Sequence, residues 1–157
     1  NTVEVRTADR PTEIVRQVEL TRQIVPNSQG VIHWSIAGLT KSPAMIQALV
    51  NGPYKEKALV PASPWLQTTP LITPTLLLTK EKSGSVFAKW QHRTPEDVNH
   101  WVVYAKYGDN WEYTIYDRDI TSSEFSPNKQ GAKLRGVAVQ AIDRLGNASD
   151  YLAYDVK

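Results

Sequence analysis

Cysteine is absent from all 157 residues, which excludes disulfides, thiol nucleophiles and cysteine-ligated zinc. The three histidines, at 33, 92 and 100, lack the spacing of a metal site, so no metal is expected. There is no glycine-rich phosphate loop and no Gly-x-Ser-x-Gly elbow, and with them go the usual nucleotide and serine-hydrolase readings. No cofactor is expected. Charge of one sign is also missing. Lys plus Arg number 18 against 16 Asp plus Glu, and no basic run appears, so no nucleic-acid partner is expected. No apolar stretch reaches the roughly 18 residues of a membrane-spanning helix. Internal repeats and low-complexity tracts are lacking too. The chain opens at Asn1 without the pattern of a secretory leader, and reads as an internal or processed piece of a longer product.

What is present changes character near residue 66. Before it, apolar spacing is helical; after it, short alternating runs are cut by turn residues. Segment 12–25 reads as an amphipathic helix with Ile14, Val18 and Val25 near one face and Val15 beside them. Pro11 suits its first turn, Asp9 or Thr12 can cap it, and the run from Pro26 to Gly30 stops it. Gly30–Ile36 is apolar at most positions and reads as a buried strand. Ser42-Pro43 pairs a hydroxyl cap with a first-turn proline, which predicts a helix over 43–50 that ends at Asn51-Gly52. Prolines at 61, 64, 70 and 74 then make an extended, stiff connector.

From Thr75 onward, seven strands are expected at the spacing of a sandwich. They are Leu76–Thr79, Ser85–Gln91, Trp101–Tyr107, Trp111–Tyr116, Ser123–Phe125, Leu134–Ile142 and Tyr151–Val156. Alternation sets Val86, Ala88 and Trp90 against Phe87, Lys89 and Gln91. It likewise puts Trp111 and Tyr113 on one face of the fourth strand and Tyr116 on the other. With Tyr104 and Tyr107 nearby, Trp111 and Tyr113 are candidates for an aromatic platform that holds carbohydrate. Ordinary packing, with these rings in the core and its rim, is the expected alternative. Asp143 and Asp150 read as turn residues.

Four features of the second half resemble a fibronectin type III domain: Trp90 in the second strand, Trp101-Val102-Val103-Tyr104 in the third, Val139–Asp143 in the sixth, and the turn from Asp143 to Ser149 of D-x-x-G-N-x-S type. One residue departs from the pattern, with Val137 standing where the family carries a tyrosine. The first half is similar to the carboxyl end of a family 10-like glycoside-hydrolase TIM barrel. That resemblance rests on Glu13–Val18, Gly30–Ser35, Tyr54 and the run from Ala58 to Leu66.

Together these readings give a mainly β chain: a seven-stranded fibronectin type III-like β-sandwich over 75–157, preceded by an α/β fragment that is the last βα unit of a barrel. The barrel fragment takes residues 1–66 and the connector 67–74. The resemblance implies a bacterial exported protein that is secreted, periplasmic or on the cell surface, and a parent enzyme that meets a polysaccharide or oligosaccharide. It also puts His33, Trp34 and Ser35 at the substrate-facing end of the last barrel strand, with Arg6 in a loop on the same side. Glycosidases commonly use two carboxylates about 5–9.5 Å apart. Neither Glu13, Glu19 nor any other acid stands at the end of Gly30–Ile36, so no catalytic residue is expected within this chain. The expected role is therefore non-catalytic: closing the barrel and bracing the sandwich. The alternative is a sandwich that itself binds carbohydrate or protein through an exposed aromatic face. A barrel strand without neighbours has unpaired edges, and a homodimer through Gly30–Ile36 follows as an expectation.

Overall fold

A computed structural model describes residues 10–25, 30–66 and 69–156. The chain divides into two compact units between Ala58 and Leu59.

The first unit is helical. Helix α1 (Pro11–Ile24) begins at its proline, carries Glu13 in the first turn and Arg22 in the last, and so matches the helix dipole at both ends. Its N-cap position is Arg10, which makes no side-chain cap; Thr12 lies inside the helix, while Asp9 and the expected stop over 26–29 lie outside the described residues. Ile14 and Val18, one turn apart, are buried against Met45 and Leu49. Val25 is exposed at the helix end and takes no part in this core. Helix α2 (Ile36–Thr40) is a short turn. Helix α3 (Pro43–Asn51) starts as predicted: the Met45 N–H donates to Ser42 Oγ at 3.4 Å, and Gly52 follows the last turn.

Gly30–Ile36 is not a strand. Gly30–Ser35 is irregular and Ile36 opens α2, so the expected barrel strand is corrected here. Ile32, Trp34 and Ile36 are 93%, 77% and 74% exposed. A parallel strand is held by ladders on its flanks and by helices over its faces, and no other strand forms among the described residues of this unit. Among the described residues, Ile32, Trp34 and Ile36 have no apolar layer to bury against. The ladder edge on which a homodimer was expected is likewise not formed.

The second unit is an antiparallel β-sandwich. Strands β1 (Thr75–Lys80), β2 (Val86–Gln91) and β5 (Ser122–Phe125) make one sheet in the order β1-β2-β5. Strands β3 (His100–Tyr107), β4 (Asn110–Asp117), β6 (Asn128–Lys129), β7 (Ala132–Ile142) and β8 (Leu152–Asp155) make the other, ordered β4-β3-β7-β6 with β8 also on β7. Each expected strand has a counterpart, and the two-residue β6 raises the count among the described residues to eight. The alternation in β2 is as read, with Val86, Ala88 and Trp90 buried and their neighbours exposed.

Trp90, Trp101, Leu134, Val137 and Val139 share one interior between the two sheets. Both indole N–H groups find carbonyls in the turn after β4: Trp90 Nε1 donates to Ile120 O and Trp101 Nε1 to Arg118 O, each at 3.1 Å. That lets two large aromatic side chains be buried without an orphaned donor. Val137, at the place of the family tyrosine, is fully buried as packing.

The segment ahead of β1 belongs to this unit rather than to a free tether. The Ser63 N–H donates to Leu145 O at 2.9 Å. Buried His92 donates from Nε2 to Ile72 O at 2.8 Å and accepts the Thr94 N–H at Nδ1. The turn that receives Ser63 is built by Asp143, whose carboxylate accepts the N–H groups of Leu145 and Asn147 at 2.8 Å and the Asn147 amide at 3.0 Å. Its role as a turn residue is the one expected from the sequence.

Candidate functional site

The outer face of the β4-β3-β7-β8 layer is where chemistry-bearing side chains converge. Because β3 sends Trp101, Val103, Ala105 and Tyr107 inward, Tyr104 and Lys106 point outward. The register Tyr104↔Tyr113 and Lys106↔Trp111 then puts Tyr113 and Trp111 on that same outer face. Trp111 is 50% exposed and Tyr113 64%, so neither ring belongs to the core. Tyr116 and Tyr107 pack inward. Tyr116 packs against Trp90 with ring centroids 5.5 Å apart, and Tyr107 donates from its hydroxyl to Ser126 O at 3.1 Å.

Small residues continue the face across β7 and β8. Ala138 pairs with Tyr104 on one side and Ala153 on the other, and Gly136 lies between Lys106 and Asp155. The indole of Trp111 reaches over Gly136: a β-carbon there would stand 3.6 Å from the far edge of the ring. The result is a groove of about 500 Å³, floored by Ala138 and Ala153 and walled by Tyr104, Trp111, Gln140 and Tyr151. Its volume lies within the usual range of small-molecule sites, about 300–1,000 Å³.

The rings are held in place. Tyr104 and Trp111 meet edge to face, centroids 6.5 Å apart, and Tyr104 and Tyr113 lie 6.4 Å apart. Lys106 Nζ stands 5.8 Å from the Trp111 ring centre. The Tyr104 hydroxyl donates to Gln140 Oε1 at 3.2 Å, and the Gln140 amide is anchored in turn by donating to Ser149 O at 2.7 Å. Burial raises the Tyr104 pKa above the ordinary tyrosine value, and the neighbouring Tyr113 adds to it. Tyr104 is thus a neutral hydroxyl at physiological pH. The face presents apolar ring surface with a few fixed polar atoms. That composition suits a ligand with an apolar face and hydroxyl edges.

The other expected site residues lie in the helical unit. His33 Nε2 and the Tyr54 hydroxyl are 2.6 Å apart, and the Arg22 guanidinium lies 5.8 Å from the Tyr54 ring centre. His33 Nδ1 is enclosed and has no hydrogen-bond partner among the described residues. Trp34 projects into solvent beside a cleft of about 340 Å³ that Ile32, His33 and Thr21 also line. Ser35 precedes α2 and is half-buried. Arg6 lies outside the described residues. Among the described residues no three His, Asp or Glu side chains converge as a metal site, and no helix is long and apolar enough to cross a membrane.

Tyr151, Gln140 and the small floor residues were not read as site residues. Tyr151 stands in sequence as the start of a last strand, and only the register of β8 on β7 brings it to the groove.

No family model matches the chain. It is 34% identical over 99 residues to the glycosyl hydrolase YngK of Bacillus subtilis (strain 168), a match that covers 62% of this chain and 19% of the relative. The chain therefore spans about one-fifth of that relative's length. Among solved structures, the spore cortex lytic enzyme SleM of Clostridium perfringens matches at 19% identity and TM-score 0.44, over 57% of this chain and 29% of that one. An FN3 domain of human collagen XX matches at 18% identity and TM-score 0.42, over 63% and 100%. This chain is thus related in sequence to part of a glycosyl hydrolase, and its larger unit is an antiparallel β-sandwich.

Proposed function

We propose that this chain is the carboxyl-terminal, non-catalytic portion of an exported bacterial glycoside hydrolase, and that its fibronectin type III-like sandwich holds carbohydrate on its outer aromatic face. The observation that carries the reading is the exposure of Trp111 and Tyr113 beside a groove walled by Tyr104 and Tyr151. Rings of this size bury about 150–250 Å² each when enclosed, and leaving two of them in water on a β-sheet is unfavourable unless something covers them. A sugar ring does so with its C–H face, while its hydroxyls meet the tyrosine oxygens. The sequence relation to a glycosyl hydrolase supports carbohydrate as that cover. The same relation, with the resemblance of residues 1–66 to the end of a glycosidase barrel, supports catalytic carboxylates supplied from outside this chain. His33 and Trp34, which line a cleft of about 340 Å³, and the neighbouring Ser35 keep a place in this reading as sugar contacts. The composition of the 143–149 turn, of a kind frequent in secreted modules, supports export to the periplasm, the cell surface or the medium.

Affinity electrophoresis tests the reading. The full chain is run through native gels containing soluble xylan, β-glucan or glycol-chitin. Retardation in at least one gel is expected, with Trp111→Ala and Tyr113→Ala restoring free mobility at unchanged melting temperature. Free mobility of the wild type in every gel overturns it.

A further inference from the structure

We infer that the groove takes a single, extended chain of neutral sugar, not the flat face of a packed polysaccharide. The inference rests on the carbohydrate reading above and adds the physical form and charge of the ligand.

Ring orientation decides the form. A flat polymer surface is met by rings that lie in one plane. Here Tyr104 and Trp111 are 88° apart in plane and Tyr104 and Tyr113 are 54° apart, so no single plane is tangent to the three. Tyr104 and Trp111 are each braced by neighbours. The Tyr104 hydroxyl is tied to Gln140, Gln140 is tied to Ser149, and Trp111 lies against Gly136 with Lys106 near its ring. Depth points the same way. The floor is made of the Ala138 and Ala153 methyl groups while Tyr104, Trp111, Tyr151 and Gln140 wall it, which leaves a trough about 500 Å³ in volume. One saccharide chain can enter it; a packed surface can touch only its rim. Having donated to Gln140, the Tyr104 oxygen retains a lone pair for a sugar hydroxyl.

Charge decides the second part. Lys106 and Asp155 flank Gly136 in one cross-strand row, and beyond them Arg135 is paired with Asp109 at 3.3 Å. Among the described residues, one cation and one anion stand in that row beside the trough, a balance that does not favour a uronate. Gln140 positions Tyr104 and is itself held by Ser149 O, and it keeps one amide N–H for a sugar hydroxyl.

The test compares two forms of ligand against three variants of the full chain. Soluble cello-, xylo- and chito-hexaose are titrated calorimetrically, and insoluble cellulose, xylan and chitin are used in sedimentation assays. Saturable binding of at least one soluble oligosaccharide is expected. Trp111→Ala should weaken it about tenfold or more, and so should Ala153→Leu, which fills the trough but leaves every ring in place. Tyr151→Ala removes an exposed wall without touching the core, and serves if Ala153→Leu fails to fold. Sedimentation with insoluble polymer that Trp111→Ala abolishes and Ala153→Leu and Tyr151→Ala preserve, with no soluble binding, overturns the inference and leaves the carbohydrate reading standing. Tighter binding of oligogalacturonate than of every neutral hexasaccharide overturns the charge assignment. Binding of neither soluble nor insoluble glycan overturns the carbohydrate reading and the inference together.

Discussion

The two units differ most in how much of their apolar surface finds a partner. In the helical unit Ile14, Val18, Met45 and Leu49 are enclosed, while Ile32, Trp34 and Ile36 stand in solvent. In the sandwich thirteen buried residues form one continuous core, and three exposed rings, Trp111, Tyr113 and Tyr151, share one outer face. The difference teaches which signals act alone. A helix closes its hydrogen bonds within its own segment, so Ser42-Pro43 and the Ile14–Val18 spacing give helices with only four side chains to bury. A strand borrows its hydrogen bonds from elsewhere, so an apolar run without neighbours stays irregular.

The largest expected effect separates the cores. Trp90→Ala should cost about 3–5 kcal/mol, because it empties the centre of the sandwich and strands the Ile120 carbonyl. Urea unfolding followed by tryptophan emission measures it. Met45→Ala removes one of only four core side chains in the helical unit and should abolish most of that unit's helical signal near 222 nm. Retention of the full signal would show that these helices do not depend on the four-residue core.

Gly146→Ala comes next. Its φ is +77°, and a β-carbon would stand 2.4 Å from Val60 O, so the segment seated on this turn must move. A loss of about 1–3 kcal/mol is expected, with new thermolysin cleavage between residues 59 and 66. An uncleaved segment would show that Ser63 and Ile72 are held by something other than this seat.

Ser42→Ala removes the one helix cap that the first unit builds from a side chain among its described residues, and should cost about 1 kcal/mol. The readout is amide exchange in the first turn of α3. Faster exchange there, with β3 and β7 unchanged, is expected.

The smallest effect is alkaline. Burial raises the pKa of Tyr54 in the helical unit, where Arg22 partly opposes it, and those of Tyr104 and Tyr107 in the sandwich. Below about pH 10 these phenols are neutral in both folded and unfolded chains, and their contribution to stability is fully present. Above that pH the unfolded chain ionises first, so stability falls as pH rises through the folded values. Phenolate absorbance should show late-titrating tyrosines that revert on unfolding. In Tyr113→Phe the Tyr104 value should drop slightly, since Tyr113 is the lesser of its two causes.

Much of the sandwich was legible. Val86, Ala88 and Trp90 are buried and Phe87, Lys89 and Gln91 exposed, as the alternation predicts, because a period of two sorts side chains by face before any contact is known. The choice between faces was not legible. Alternation groups Trp111 with Tyr113 and opposes Tyr116, but only pairing of Tyr116 with inward Trp101 decides which side is core. The His92 clamp on Ile72 joins residues 20 apart with no local motif to announce it. The composition of Gly30–Ile36 describes a buried strand, but burial is not a property of seven residues.

By itself the sequence determined the helix boundaries at Pro11, Pro43 and Gly52, the turn that Asp143 organises, and which strand residues travel together. Those are set by steric limits, caps and alternation within a few positions. Tertiary structure alone decided that Trp111 and Tyr113 face water, that Tyr151 joins them across Ala138 and Ala153, and that the run around Trp34 forms no strand. Each of those outcomes depends on a hydrogen-bonded or packed neighbour far along the chain, and no local pattern can supply one.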